Sequence, residues 1–409
     1  MSVQKLAIEG GVAVRGTPFP TRHLFGDEEK QAAVRLFDEA IQSGNAFGYG
    51  GADEQAFEKE FAAVMGGGFA DGVNGGTTAV FAALGALQLE AGSEVVVSPI
   101  TDPGGVMPVA MLNCVPVFAD ADPRTYHMSA ASLASVVTPR TRAVVVAHIA
   151  GEPADMDGIL AVAKQHHLKV VEDCAQSHGT RYKGQLTGTL GDIAAFSTMS
   201  GKHMATAAQG GVVFTRHEEL HWKGRQFADR GKPFGLTPPP GNVMAGLNLN
   251  LNDLSAAVGR VQLKKLPSIV QRRHDGGEAV KQGLAGVEGV ALGWQEPGSY
   301  CTYWFLRVAL DLPRLTVSKA CFCAALAAEG IPSMVAYRHI QAEAPWFRER
   351  KQRWCPWLFR DRVTQEPAFP GAIAATDMQF NIPFHENYGP VEIRDIVEAL
   401  SKVARAYRR

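Results

Sequence analysis

Apolar residues recur at helical spacing through residues 28–43, at Ala32, Leu36 and Ala40, and Gly44 stops the run. The pattern predicts an amphipathic helix followed by a glycine-rich loop over 45–51. A second helix is expected over 56–65, closed by Gly66-Gly67-Gly68. Short valine-rich runs follow, at Val95-Val96-Val97, Val117-Phe118, Val144-Val145-Val146, Val170-Val171 and Val212-Val213-Phe214. Runs this continuous predict strands buried on both faces, hence a mostly parallel sheet joined by right-handed crossovers. Helices are expected between them, near 104–112 and over 158–167. After residue 266 come a long helix over 269–284, strands within 303–310 and a helix over 317–329. A strand leading toward residues 337–339 and a last helix over 391–407 close the chain. The fold class is α/β, a mostly parallel central sheet sandwiched by helices with a smaller C-terminal α/β domain. The expected division is an N-terminal arm (1–25), a large domain (26–266) and a small domain (267–409).

Composition narrows the function classes. Apolar residues make up 46% of the 409, ample for a sizeable core. A net charge of −1 gives no electrostatic case for nucleic acid or an anionic membrane. The six cysteines have no paired metal spacing, and Cys321 and Cys323 stand too close for a usual zinc pair, so no metal is expected. They read as free thiols in a reducing compartment. The chain opens on no signal-peptide pattern and holds no apolar run of about 18 residues, so the expectation is a cytoplasmic protein.

The chemistry concentrates in residues 169–215. A buried strand ends on Glu172-Asp173, a second ends at Ser197, and Lys202 follows five residues later. Acid, hydroxyl and lysine thus stand at neighbouring strand ends, where open α/β sheets place ligands. That set suits pyridoxal phosphate: a lysine to carry it, a carboxylate for its ring nitrogen, hydroxyls for its phosphate. Upstream, Gly75-Gly76 turns a short strand into a helix beginning Thr77-Thr78, a start that attracts phosphate. Each residue also has an ordinary reading. An Asp after a strand caps a turn, a Lys is solvated surface, and a Gly-Gly turn simply joins strand to helix.

Order and spacing together resemble the DegT/DnrJ/StrS sugar aminotransferases, fold type I pyridoxal phosphate enzymes. The match runs through Glu172-Asp173-Cys174-Ala175-Gln176-Ser177-His178-Gly179, then Tyr182, Gly184, Gly188, Gly191-Asp192, Phe196-Ser197, Lys202 and Gly210-Gly211. It extends from Gly44 to the last helix, with Asn248 and Gln262-Leu263 inside it. The resemblance implies a large pyridoxal-phosphate-binding domain and transamination of a keto sugar or cyclitol, with glutamate or glutamine as donor, in amino-sugar or antibiotic biosynthesis. It gives Lys202 and Asp173 the catalytic roles and Gln176 the cofactor's ring hydroxyl. Ala175 covers one face of the ring, and Gly76, Thr77, Ser197 and Asn248 hold the phosphate. Asn248 reaches the neighbouring subunit's cofactor, so a homodimer with composite sites is implied.

Three positions depart from the family pattern. Asp102 stands where an aromatic residue stacks on the cofactor, Asn250 replaces an arginine, and Gln209 replaces a glutamate. The last two changes each neutralise a charge. The passages 196–203, 209–211 and 229–234 look closest to the branch acting on a 3-oxo-glucose 6-phosphate. Arg230, Lys232, Arg338 and His339 are therefore the expected substrate-binding residues, with a small phosphorylated keto sugar as substrate. The alternatives are that these charges are solvated or pair with Asp229, and that the substrate is a nucleotide-linked keto hexose. A nonsugar fold type I enzyme and a non-catalytic cofactor-binding homologue stand further off.

Overall fold

The computed structural model describes residues 5–238, 241–335, 337, 339–348 and 368–409. Seven strands form the central sheet: β1 (Phe69–Val73), β2 (Glu94–Val97), β3 (Val115–Phe118), β4 (Thr141–Ala147), β5 (Lys169–Asp173), β6 (Ile193–Ser197) and β7 (Gly211–Thr215). Their order is β1-β7-β6-β5-β4-β2-β3. β7 runs antiparallel to both neighbours, and the remaining pairings are parallel. The valine runs explain the arrangement. Val95, Val145 and Val171 pack into one core, while Val96, Val144, Val146 and Val170 pack into another. Successive strand residues point to opposite faces, so a continuous apolar run needs cover on both sides.

A further core lies around an antiparallel sheet of Val290–Leu292, Phe305–Leu310 and Gln379–Pro383. The helices Lys319–Ala328 and Pro390–Ala406 pack on it through Phe322, Leu326, Ile396 and Leu400. The N-terminal arm joins this core: Leu6 is buried in it, and Val14 and Phe19 pack against it. Arg15 pins the arm there through Glu392 at 3.0 Å and Asp395 at 2.8 Å.

Three elements differ from the pattern-based reading. The helix expected over 269–284 is the end of a 31-residue helix, Asp253–Gly283, with Pro267 inside it. A helix-interior proline removes one hydrogen bond and crowds the preceding turn. Here packing outweighs that cost, because Ala256, Leu263 and Leu266 are buried in one core and Val280 in the other. The region 104–112 breaks into a single 3-10 turn, Pro103–Gly105, and a short helix, Met107–Met111. The strand expected toward 337–339 is not among the described residues; only single bridges occur, Met334 to Asn381 and Ile100 to Ile340.

Candidate active site

Parallel strands β4, β5 and β6 are neighbours, so their C-terminal ends deliver His148, Asp173 and Ser197 to one edge of the sheet. Strand alternation separates the two acids of β5. Glu172 is buried away from the edge, accepting from the N–H groups of Gly188, Leu190 and Gly191 at 2.6–2.8 Å. Asp173 faces a cavity of about 180 Å³. Gly76, Thr77, Asp102, Gly104, Gly105, His148, Ala175, Gln176, Ser197, Lys202 and Gln209 are among its lining residues.

The phosphate-type end is built by contact between a helix start and a strand end. The helix Gly76–Ala86 opens at the cavity, and a Cβ on Gly76 would stand 2.6 Å from Ser197 Cβ. Only glycine allows that approach. Four unpaired N–H groups at such a start favour an anion. The Thr78 hydroxyl is engaged by Gly75 O at 2.8 Å and Asn74 Oδ1 at 2.9 Å, whereas Thr77 is exposed in the cavity lining.

At the other end stand the charges. Asp173 accepts from Ala175 N–H at 3.0 Å, and burial pushes its carboxyl pKa up, against the pull of that N–H and of Lys202. Burial pushes the Lys202 amine pKa down, while Asp173 and Asp102 pull the other way. Lys202 is 8% exposed. Gln176 Oε1 accepts from Ala150 N–H at 2.9 Å, and its amide donates to the Tyr337 hydroxyl at 3.0 Å. Two contacts fix that side chain at the cavity wall.

The glycines of the 102–105 turn answer what replaces the family aromatic. Asp102 caps the turn by accepting from Gly104 N–H at 2.9 Å. A Cβ on Gly105 would lie 2.8 Å from Asp173 Oδ2, and one on Gly104 would lie 2.4 Å from Thr77 Oγ1. Bare backbone therefore covers the region between acid and helix start. Among the described lining residues the sole ring is His148, whose Nδ1 accepts from Ala154 N–H at 3.1 Å and whose Nε2–H donates to Glu172 at 3.0 Å.

Seven of the expected cofactor residues, Gly76, Thr77, Asp173, Ala175, Gln176, Ser197 and Lys202, line this one cavity. Asn248 does not; it is exposed and accepts from Asn250 Nδ2 at 2.7 Å. Arg230 and Lys232 are also off the lining. They bind Asp229 at 2.7 and 2.6 Å and the Tyr49 hydroxyl at 2.6 and 3.0 Å. His339 stands behind Thr101, its carbonyl accepting Thr101 N–H at 3.1 Å and its ring set edge-on to Tyr337. Arg338 lies outside the described residues. Sequence reasoning missed His148, Tyr337 and Trp304, the last with its ring centroid 3.9 Å from Lys202 Nζ. Trp304 lies 103 residues from its partner Gly201, and Tyr337 lies 161 from Gln176.

An edge built this way places the protein among the fold type I aminotransferases. The profile of the DegT/DnrJ/EryC1/StrS aminotransferase family matches residues 27–401, and the chain belongs to that family. It is 30% identical over 423 residues to the L-glutamine:2-deoxy-scyllo-inosose aminotransferase of Streptomyces lividus, covering 98% of each chain. It is 32% identical over 318 residues to the UDP-N-acetyl-3-dehydro-alpha-D-glucosamine 3-aminotransferase of Acidithiobacillus ferrooxidans, covering 77% of this chain and 83% of that one. The solved aminotransferase from Psychrobacter cryohalolentis superposes with a TM-score of 0.83 at 28% identity, over 95% of this chain and all of the other.

Proposed function

We propose that the cavity holds pyridoxal 5′-phosphate and that the protein transfers an amino group from glutamate or glutamine to a small keto sugar or cyclitol. The observation that carries this reading is one cavity lined by a buried amine, a buried carboxylate and an open helix start. The residues fit the group. Gly76, Thr77 and Ser197 receive the phosphate, Asp173 the ring nitrogen, and Gln176 the ring hydroxyl. Ala175 and the Gly104-Gly105 backbone leave room for a flat ring. When bound, pyridoxal phosphate serves as an electron sink for the carbon that loses its proton.

The chain's own residues do the rest. Lys202 is the covalent carrier, and its burial favours the neutral amine that can act as nucleophile. As a free amine, Nζ would take the proton from the nitrogen-bearing substrate carbon and deliver it to the carbon on the far side of that nitrogen. Asp173, its Oδ1 held by Ala175 N–H, would be the carboxylate partner of the cofactor's ring nitrogen.

A homodimer completes the site in this reading. The outer face of the helix Asp27–Ser43 leaves Phe37 51% and Ile41 77% exposed, with Val34, Tyr49 and Leu247 also exposed. Exposed apolar residues gathered on one helix face support association with a second copy. Asn248 and the Tyr49–Arg230–Lys232 cluster then face the partner. Two cations share the single Asp229 carboxylate, so the cluster keeps a positive excess suited to a substrate phosphate. Asn250, standing where the family carries an arginine, favours a keto-sugar phosphate over a nucleotide-linked sugar. The named substrate of the Streptomyces relative, a free cyclitol, keeps inososes in the assay as the second reading. The test is a two-stage assay. Glutamate or glutamine should bleach the yellow protein, and a keto-sugar phosphate should restore the colour. No bleaching by any amino donor contradicts the reading, and restoration by a nucleotide sugar alone overturns the substrate choice.

A further inference from the structure

The turn that bears Lys202 is gripped from outside the large sheet. Arg22 of the N-terminal arm donates to the carbonyls of Lys202 at 2.6 Å and His203 at 2.8 Å. Glu386 holds Arg22 at 2.9 Å, and Arg273 holds Glu386 at 2.8 Å. From the other side Trp304 Nε1–H donates to Gly201 O at 2.8 Å, and its ring centroid stands 3.9 Å from Lys202 Nζ. The backbone is shaped for this contact. Tyr303, just before the tryptophan, takes a left-handed φ of 42°, which a bulky residue adopts rarely. It is held there by burial, by its hydroxyl on Glu278 at 2.6 Å, and by Trp304 N–H donating to Ala150 O at 2.8 Å. The strained, pinned Tyr303 thus sets the backbone from which Trp304 presents its indole face to the Lys202 amine.

We propose that Trp304 is a positioning residue for Lys202: its indole face receives the lysine ammonium whenever the free amine is protonated, and its N–H fixes the turn beneath it. The inference rests on Lys202 being the reacting amine. An ammonium over an aromatic face is stabilised by the ring quadrupole. The indole therefore works against burial, which favours the neutral amine, and Asp102 and Asp173 act in the same direction as the ring. The neighbouring His178 and His203 are fully buried and held neutral, their pKa values pushed down by burial and nearby cations. The displaced lysine thus has a defined resting place and keeps its proton close to the cavity.

The test uses the full-length protein without cofactor. The rate at which an amine-directed reagent labels Lys202, read by peptide mass mapping across pH, gives the amine's midpoint. Removing the ring destabilises the ammonium, so in W304L the midpoint falls by about 0.4–1.5 pH units, with W304F between W304L and the wild type. An unchanged midpoint in a W304L protein with native melting overturns the proposal. If W304L does not fold, tryptophan fluorescence of the wild type minus that of K202A is titrated instead. A difference signal that follows the amine midpoint supports the contact, and a pH response that persists unchanged in K202A overturns it. Both readouts need no cofactor. A failure of the pyridoxal phosphate reading would show separately, as absence of colour on adding the cofactor.

Discussion

Lys202 and the pair Arg230–Lys232 carry the same kind of charge in opposite surroundings. Lys202 is buried, borders a cavity, and has an aromatic face and two carboxylates around its amine. Arg230 and Lys232 are about half exposed and share the buried Asp229, with the Tyr49 hydroxyl bridging them. Burial raises the free energy of a charge and makes it reactive; exposure with a partner makes it available for recognition and worth little to stability. In the proposed reading the first region is a place for chemistry and the second a surface for an anion.

The sharpest way to break the comparison is to remove the buried amine. K202A is expected to lower transamination by at least about 10³-fold, because both covalent carriage and proton transfer go with it. Steady-state turnover checks this, and retention of near-wild-type activity contradicts it. D173N comes next, with a loss of about 10²-fold, since an amide of the same shape leaves the ring nitrogen without its charge partner. A loss confined to KM would instead make Asp173 a mere binding group.

Outside the cavity the expected effects are smaller. F37D with I41D should shift the protein toward monomer in sedimentation and lower cofactor retention with it. A fully active, cofactor-loaded monomer would remove Asn248 and the basic cluster from the site. For Glu386, Arg273 and Arg22 outweigh burial and hold the carboxyl pKa below its ordinary value. Its contribution is present above the ordinary glutamate pKa, about 4.3, and is lost as pH falls through the lower folded value. E386Q should therefore cost about 3 kcal/mol at neutral pH and flatten the acid limb of a stability curve, measured by denaturant unfolding. The smallest change is expected of R230A and K232A. Stability should move by about 1 kcal/mol or less, while KM for a keto-sugar phosphate rises about tenfold and that for a free cyclitol stays unchanged.

The cavity was legible in the sequence because its parts are contiguous. Asp173, Ala175, Gln176, Ser197 and Lys202 fall within 30 residues at the ends of two paired strands, so one motif places them all. The helix start at Gly76 was legible for a similar reason, a glycine pair at a strand-to-helix turn. Trp304 and Arg22 were not, because they reach the lysine turn from the residues just before the strand Phe305–Leu310 and from those ahead of the helix Asp27–Ser43. No spacing in the chain announces a contact across 100 or 180 residues. For the charges the sequence left two readings open, a substrate phosphate or pairing with Asp229, and the fold shows both Arg230 and Lys232 on that carboxylate. Pro267 misled about a boundary: it reads as a helix stop, yet two cores hold the helix through it.

The central claim is that Lys202 carries the cofactor. Borohydride reduction of the protein loaded with pyridoxal phosphate, followed by peptide mass mapping, tests it most directly. The account predicts a pyridoxyl mass on Lys202 in stoichiometric yield, lost when the protein is first treated with glutamate or glutamine. Label on another lysine, or none at all in a protein that binds the cofactor, would contradict it.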